Sequence, residues 1–182
     1  MKSILYSLIA LAIVTFALAA TPAFAQSETP MTDAHISRIK SNCRVALATL
    51  AQIHANDAPI YINRNQTYFS ISDKLMAHLN SRLALGSYDT TQLVKTASSY
   101  NAALTQFRIA YKQYDDSLTD LIKMDCKRQP VSFYDKVADT RKQRQKVFEA
   151  GQKLRAYIDQ YRTDVQFFQS QHLKKLSGGS DE

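Results

Sequence analysis

Residues 90–125 read TTQLVKTASSYNAALTQFRIAYKQYDDSLTDLIKMD, without a single Gly or Pro. Within them Leu93, Ala97, Tyr100, Leu104, Phe107, Tyr111, Tyr114, Leu118 and Leu121 recur at alternating steps of four and three. Steps of that size put all nine on one helical face, whereas a strand needs period two. The stretch therefore predicts one unbroken helix of about 54 Å. Its heptads are coiled-coil-like, and such a stripe buries an intrachain core or a dimer seam equally well.

The flanking sequence follows the same period. Upstream, Thr32 or Asp33 supplies a capping oxygen, and Ile36, Ile39, Cys43, Ala46, Leu50 and Ile53 form a stripe. Asn56-Asp57-Ala58-Pro59 disturbs it, because proline lacks an N–H and crowds the preceding turn. Tyr61, Tyr68, Ile71, Leu75, Leu79 and Leu83 resume the pattern up to Gly86, placed to be the residue just past a helix end. Asp89-Thr-Thr-Gln92 resembles a capping box. Downstream, Cys126-Lys-Arg-Gln-Pro130 breaks the long helix, and Ser132 opens a last one. There Phe133, Val137, Val147, Leu154, Ile158, Tyr161, Val165 and Phe168 face inward, interrupted by Thr140, Arg144 and Gly151.

Two cysteines, Cys43 and Cys126, decide how many helices the bundle has. A disulfide needs Cα atoms about 4.4–6.8 Å apart. If the chain reverses only at Gly86–Asp89, Cys126 is level with Thr49, and Cys43 is about 9 Å further on, a gap that a frayed helix end closes. If it also reverses at residues 57–63, the two lie about 42 Å apart and cannot pair. The pairing thus favours an elongated antiparallel bundle of three long helices, the first kinked near Pro59. A four-helix up-down bundle is the alternative.

The chain opens with Met1-Lys2, an apolar run from Ile4 to Ala20 and a small-x-small Ala23-Phe24-Ala25. That is the layout of a secretory signal peptide over residues 1–25, with an uncleaved membrane anchor as the alternative. Residues 26–32 are expected to be a disordered N-terminus, 33–172 one bundle domain and 173–182 a flexible polar tail. No second apolar run of bilayer length follows, so no span is expected in the mature chain. The expected location is extracytoplasmic (periplasmic, cell-surface or secreted), where cysteines oxidise.

Beyond the leader, 22 Lys and Arg face 16 Asp and Glu. The whole surplus falls in residues 126–155, around Arg141, Lys142, Arg144 and Lys146, a candidate basic interaction patch. The competing expectation is an intrachain charge ladder. A turn near residue 129 sets Asp115, Asp116 and Asp120 level with residues 143, 142 and 138, where they neutralise the flank.

Composition excludes several classes. Two cysteines make neither a zinc ribbon nor an iron–sulfur centre, and four glycines argue against phosphate-cradling loops. His35, His54, His78 and His172 are scattered, without the Glu-x-x-His pairs of di-iron bundles. No catalytic residues, metal or cofactor are expected. Tyr100, Tyr111 and Tyr114, with Tyr61, Tyr68 and Tyr161, read as core. Partners are expected to be a protein or an anionic envelope component, or a second copy in a homo-oligomer. Nucleic acid is disfavoured because no groove-reading motif is present.

In composition and helix length the chain resembles the Skp-type periplasmic chaperones. Those begin with a strand-forming segment, and residues 26–40 do not read as one. Three roles follow as expectations: a non-enzymatic exported binding or scaffold module, a holdase chaperone as the resemblance implies, and a small-molecule-binding bundle.

Overall fold

The computed structural model describes residues 31–177, with side chains to residue 172. The expected signal peptide and almost all of the polar segment after it lie outside the described residues. The described chain is all-α: α1 (Asp33–Ser70), a π-helical segment (Ile71–Ala77), α2 (His78–Leu85), α3 (Thr91–Ile122) and α4 (Pro130–Ser177). The first three elements join end to end, so the chain forms three long helical rods. The pairs His54/Asp115, Asn65/Arg108 and Ser72/Asn101 step in opposite directions along the first rod and α3, which makes the two antiparallel.

Helix ends follow local chemistry. Thr32 Oγ1 accepts the His35 N–H at 3.4 Å and caps α1. Asp89, rather than a reciprocal capping box, accepts the Thr91 N–H at 2.9 Å. Pro130 opens α4, two residues earlier than Ser132, because its fixed φ and missing N–H suit the first turn. Before it, Asp125 accepts the N–H groups of Lys127 and Arg128, both at 3.1 Å, and shapes the turn. α4 runs on through Ser177 and so takes in the first five residues of the expected tail, while 178–182 lie outside the described residues.

The turn after α2 corrects the reading of Gly86. Ser87, not Gly86, has the left-handed backbone, with φ 60°. The N–H of Tyr88 reaches Leu83 O and that of Ser87 reaches Ala84 O, both at 3.0 Å, which is a Schellman closure. Gly86 has a different duty. A Cβ there would stand 2.8 Å from the ring of Tyr88, which packs edge-on against Phe168 and His172.

α1 passes through Pro59 without interruption, and the irregularity comes later. The π-helical segment carries an extra residue per turn and shifts the stripe by one position. Leu75, expected inside, is 62% exposed, and Met76 is 2% exposed in its place. Two buried phenols serve carbonyls at either end of this segment: Tyr100 donates to Tyr68 O at 2.9 Å and Tyr161 to Met76 O at 3.3 Å.

α3 is the central element, with its whole heptad stripe except Tyr111 buried. Polar residues that interrupt the stripes meet one another: Ser117 with Thr140 at 2.8 Å, Thr96 with Asp164 at 2.6 Å, Asn80 with Tyr161 at 2.6 Å, and Ser72 with Asn101. Pairing of this kind removes the cost of burying each alone. Among the described residues no helix is long and apolar enough to cross a membrane.

Candidate functional site

The cysteines stand at disulfide distance, with Cα atoms 5.6 Å apart. α3 ends at Ile122, so Cys126 lies in the turn beyond it and folds back to reach Cys43. A covalent tie is informative at this end because α1 has little else to hold it. Of α1, only Cys43 and Tyr68 are buried, and α1 touches α4 far less than α3 does. Between α1 and α4 an open seam remains, floored by α3.

The part of the seam nearer Cys43 is a groove of about 450 Å³. α1 contributes Ile39, Ala46, Thr49, Leu50 and Ile53; α3 contributes Tyr114, Leu118 and Leu121; α4 contributes Phe133, Tyr134, Val137, Thr140, Arg141 and Arg144. Of the four hydroxyls in this wall, those of the threonines serve their own helices: Thr49 donates to Val45 O at 3.0 Å and Thr140 to Lys136 O at 2.8 Å. Next to it lies a smaller aromatic pocket of about 120 Å³, bounded by Tyr61, Phe107, Tyr111 and Phe148. Tyr114 and Arg144 line both.

An ion pair crosses the seam between the two pockets. Arg144 Nη2 reaches Asp57 Oδ1 at 3.2 Å, and Tyr114 donates its hydroxyl to Asp57 Oδ2 at 2.7 Å. Burial, and then donation to the Asp57 carboxylate, hold the Tyr114 phenol well above its ordinary pKa. Tyr111, stacked on Tyr61 at 3.5 Å, is pushed up to about 12, first by burial and then by Asp115 and Asp57. All these phenols are neutral donors at physiological pH. Tyr134 and Phe148, 56% and 57% exposed, stand at the mouth.

The basic patch is therefore divided. Arg144 pairs across the seam with Asp57 of α1, not with the acids of α3. Those acids have other partners: Asp115 bonds His54 at 3.0 Å, Asp116 pairs with Lys112 at 2.7 Å, and only Asp120 reaches α4, at Lys136, 3.8 Å away. The expected ladder thus shrinks to a single long rung. Among the described residues Arg141, Lys142 and Lys146 have no carboxylate within 4.0 Å.

Of the six tyrosines expected in the core, Tyr68, Tyr100, Tyr114 and Tyr161 are buried, while Tyr61 and Tyr111 are partly buried and line the aromatic pocket. What the spacing does not reveal is the seam. A groove arises where two stripes fail to meet, and no residue type marks that failure. The one available signal was Arg144 within an apolar stripe, facing Asp57 beside Pro59.

Fold and site together define the class: an all-α antiparallel three-helix bundle with an apolar, cation-edged seam. No family model, no curated protein and no solved structure matches this chain.

Proposed function

We propose that the protein is an exported, non-enzymatic binding module that acts through the α1/α4 seam. One observation carries the reading: the seam holds a groove of about 450 Å³, walled mainly by apolar side chains of three helices, that the described residues leave unfilled. Protein interiors close voids of that size because each lost contact costs dispersion energy, and ligand sites are where such concavities of about 300–1,000 Å³ persist. Export is supported by the layout of residues 1–25 and by the cysteine pair at disulfide distance, a bond that lasts in oxidising compartments. Catalysis is not part of the proposal: in the groove Thr49 and Thr140 donate to their own helices and Tyr114 to Asp57.

The test is a titration with the apolar fluorophore N-phenyl-1-naphthylamine against wild type and Ala46→Phe, which fills the groove from α1. The expected result is saturable one-to-one binding by wild type and about a tenfold loss in the variant at matched melting temperature. That loss is the scale of one side chain's worth of occluded apolar contact. Equal binding by both proteins, or none by wild type, would sink the reading.

A further inference from the structure

We infer that the occupant of the groove is a single-chain anionic amphiphile, a long-chain carboxylate whose acid group rests on Arg141. The inference rests on the seam being the binding site, and deepens it by naming the ligand's chemistry. Width is the first argument. From Ile39 to Ile53 the α1 wall runs about 21 Å. A helix about 10–12 Å across and of that length occupies about 1,600–2,400 Å³ as a cylinder, against about 1,100 Å³ of open space in and over the groove. An amphipathic helix is too thick to embed whole, and one unbranched chain is not.

The second argument is polarity. Thr49 and Thr140 donate to backbone carbonyls of their own helix, and Tyr114 donates to Asp57. Apart from the Tyr134 hydroxyl at the mouth, a sugar or a peptide lying in the groove would find few donors for its hydrogen-bonding groups, which is costly in a desolvated site. The body of the ligand is accordingly hydrocarbon.

The third argument is charge at the edge. Arg141 lines the groove and has no carboxylate within 4.0 Å among the described residues. Arg144, three residues on, lies on the same side of α4 with its charge answered by Asp57. The unanswered guanidinium is thus at the groove rather than beside it. Its planar fork fits a carboxylate in two parallel hydrogen bonds, and Lys142 adds to the attractive field. A cationic head would be repelled there, and a neutral one would leave Arg141 without its counter-charge.

Displacement of N-phenyl-1-naphthylamine from the full chain by laurate, dodecanol and dodecyltrimethylammonium tests the assignment. Arg141 is exposed, so wild type is expected to prefer laurate over dodecanol by about fivefold, the size of one solvent-screened charge pair. Arg141→Gln is expected to erase that preference while still binding the fluorophore. Equal displacement by acid and alcohol, or a preference that survives Arg141→Gln, overturns the inference while leaving the binding site standing. Failure of wild type to bind the fluorophore removes both. Displacement by vesicles of anionic phospholipid but not by laurate assigns the site to a membrane surface and overturns the inference. So does a dimer that Ala46→Phe dissociates, because the occupant is then a second copy.

Discussion

The two ends of the bundle solve the same problem differently. Around Tyr100 and Leu154, α3, α4 and the π-helical end of the first rod enclose a continuous core that includes Tyr68, Met76, Leu93, Leu104 and Phe107. Around Cys43 and Cys126 the buried set is smaller, and α1 is only partly covered along Ile39, Leu47, Leu50 and Ile53. One end is held by packing alone, and the other by a smaller packed set together with the cysteine tie. The difference teaches why an open groove is tolerated at all: a tie that does not depend on close contact lets α1 stand away from α4 without leaving the bundle.

Removing the tie tests this contrast hardest. The bond closes a loop over a sequence separation of 83 residues, for which the chain-entropy account expects about 4 kcal/mol. Reduction, or the Cys43→Ser/Cys126→Ser pair, is expected to lower stability by that order in denaturant titrations. Hydrogen exchange should then quicken along residues 36–53 while amides of residues 96–107 stay protected. Equal quickening at both ends would show that the two regions are not distinct.

Next in size is the cost of a cavity. Leu154 is fully buried in the packed end, so Leu154→Ala is expected to cost about 3 kcal/mol. Leu50→Ala, on the wall of a groove already open, is expected to cost less, about 1 kcal/mol, because Leu50 is only partly buried. Similar losses in the two variants would mean that the groove closes in solution.

Alkali probes the same division through the phenols. Burial pushes Tyr161 up to about 12, with Asp164 adding to the shift. Its folded-state pKa lies above the ordinary value near 10, so above pH 10 the unfolded chain has lost a proton that the native chain keeps. Stability is therefore full below pH 10 and falls as pH rises towards 12, by about 1.4 kcal/mol per unit for each such group. Tyr161→Phe is expected to flatten the alkaline limb of the stability curve. An unchanged slope would remove Tyr161 from the account.

The smallest expected effects are gains. Gly151 sits inside α4, and a Cβ there meets only the Tyr68 hydroxyl at an ordinary 3.8 Å. Gly151→Ala is expected to add about 1 kcal/mol through helix propensity. Ser87→Gly should add a similar amount by relieving the left-handed φ of 60°. Thermal melts of the two variants decide, and a loss in the first would mean that α4 is closer to Tyr68 than ordinary contact.

Much of the architecture was legible beforehand, for identifiable reasons. The stripe from Leu93 to Leu121 points to a long helix, and pairing of Cys43 with Cys126 favours a first rod that runs on through Pro59 over a four-helix bundle. Where the reading of the core and of the turn after α2 failed, it did so by one residue. Leu75 and Met76 are equally apolar, and only contact with α3 and α4 selects which points inward. Gly86 and Ser87 both suit a turn, and the ring of Tyr88 over Gly86 leaves the left-handed position to Ser87.

The linear sequence by itself determined the helical period of α3, the breaks between the three rods, and the pair of residues able to cross-link them. These rest on local sterics, capping and loop length, which act over a few residues or depend on chain distance alone. Only the tertiary structure decided that Asp57 answers Arg144, that Arg141 stays unanswered, and that α1 and α4 stand apart. Those outcomes depend on how three rods share one core, and a heptad written along one helix carries no information about the width of the space beside it.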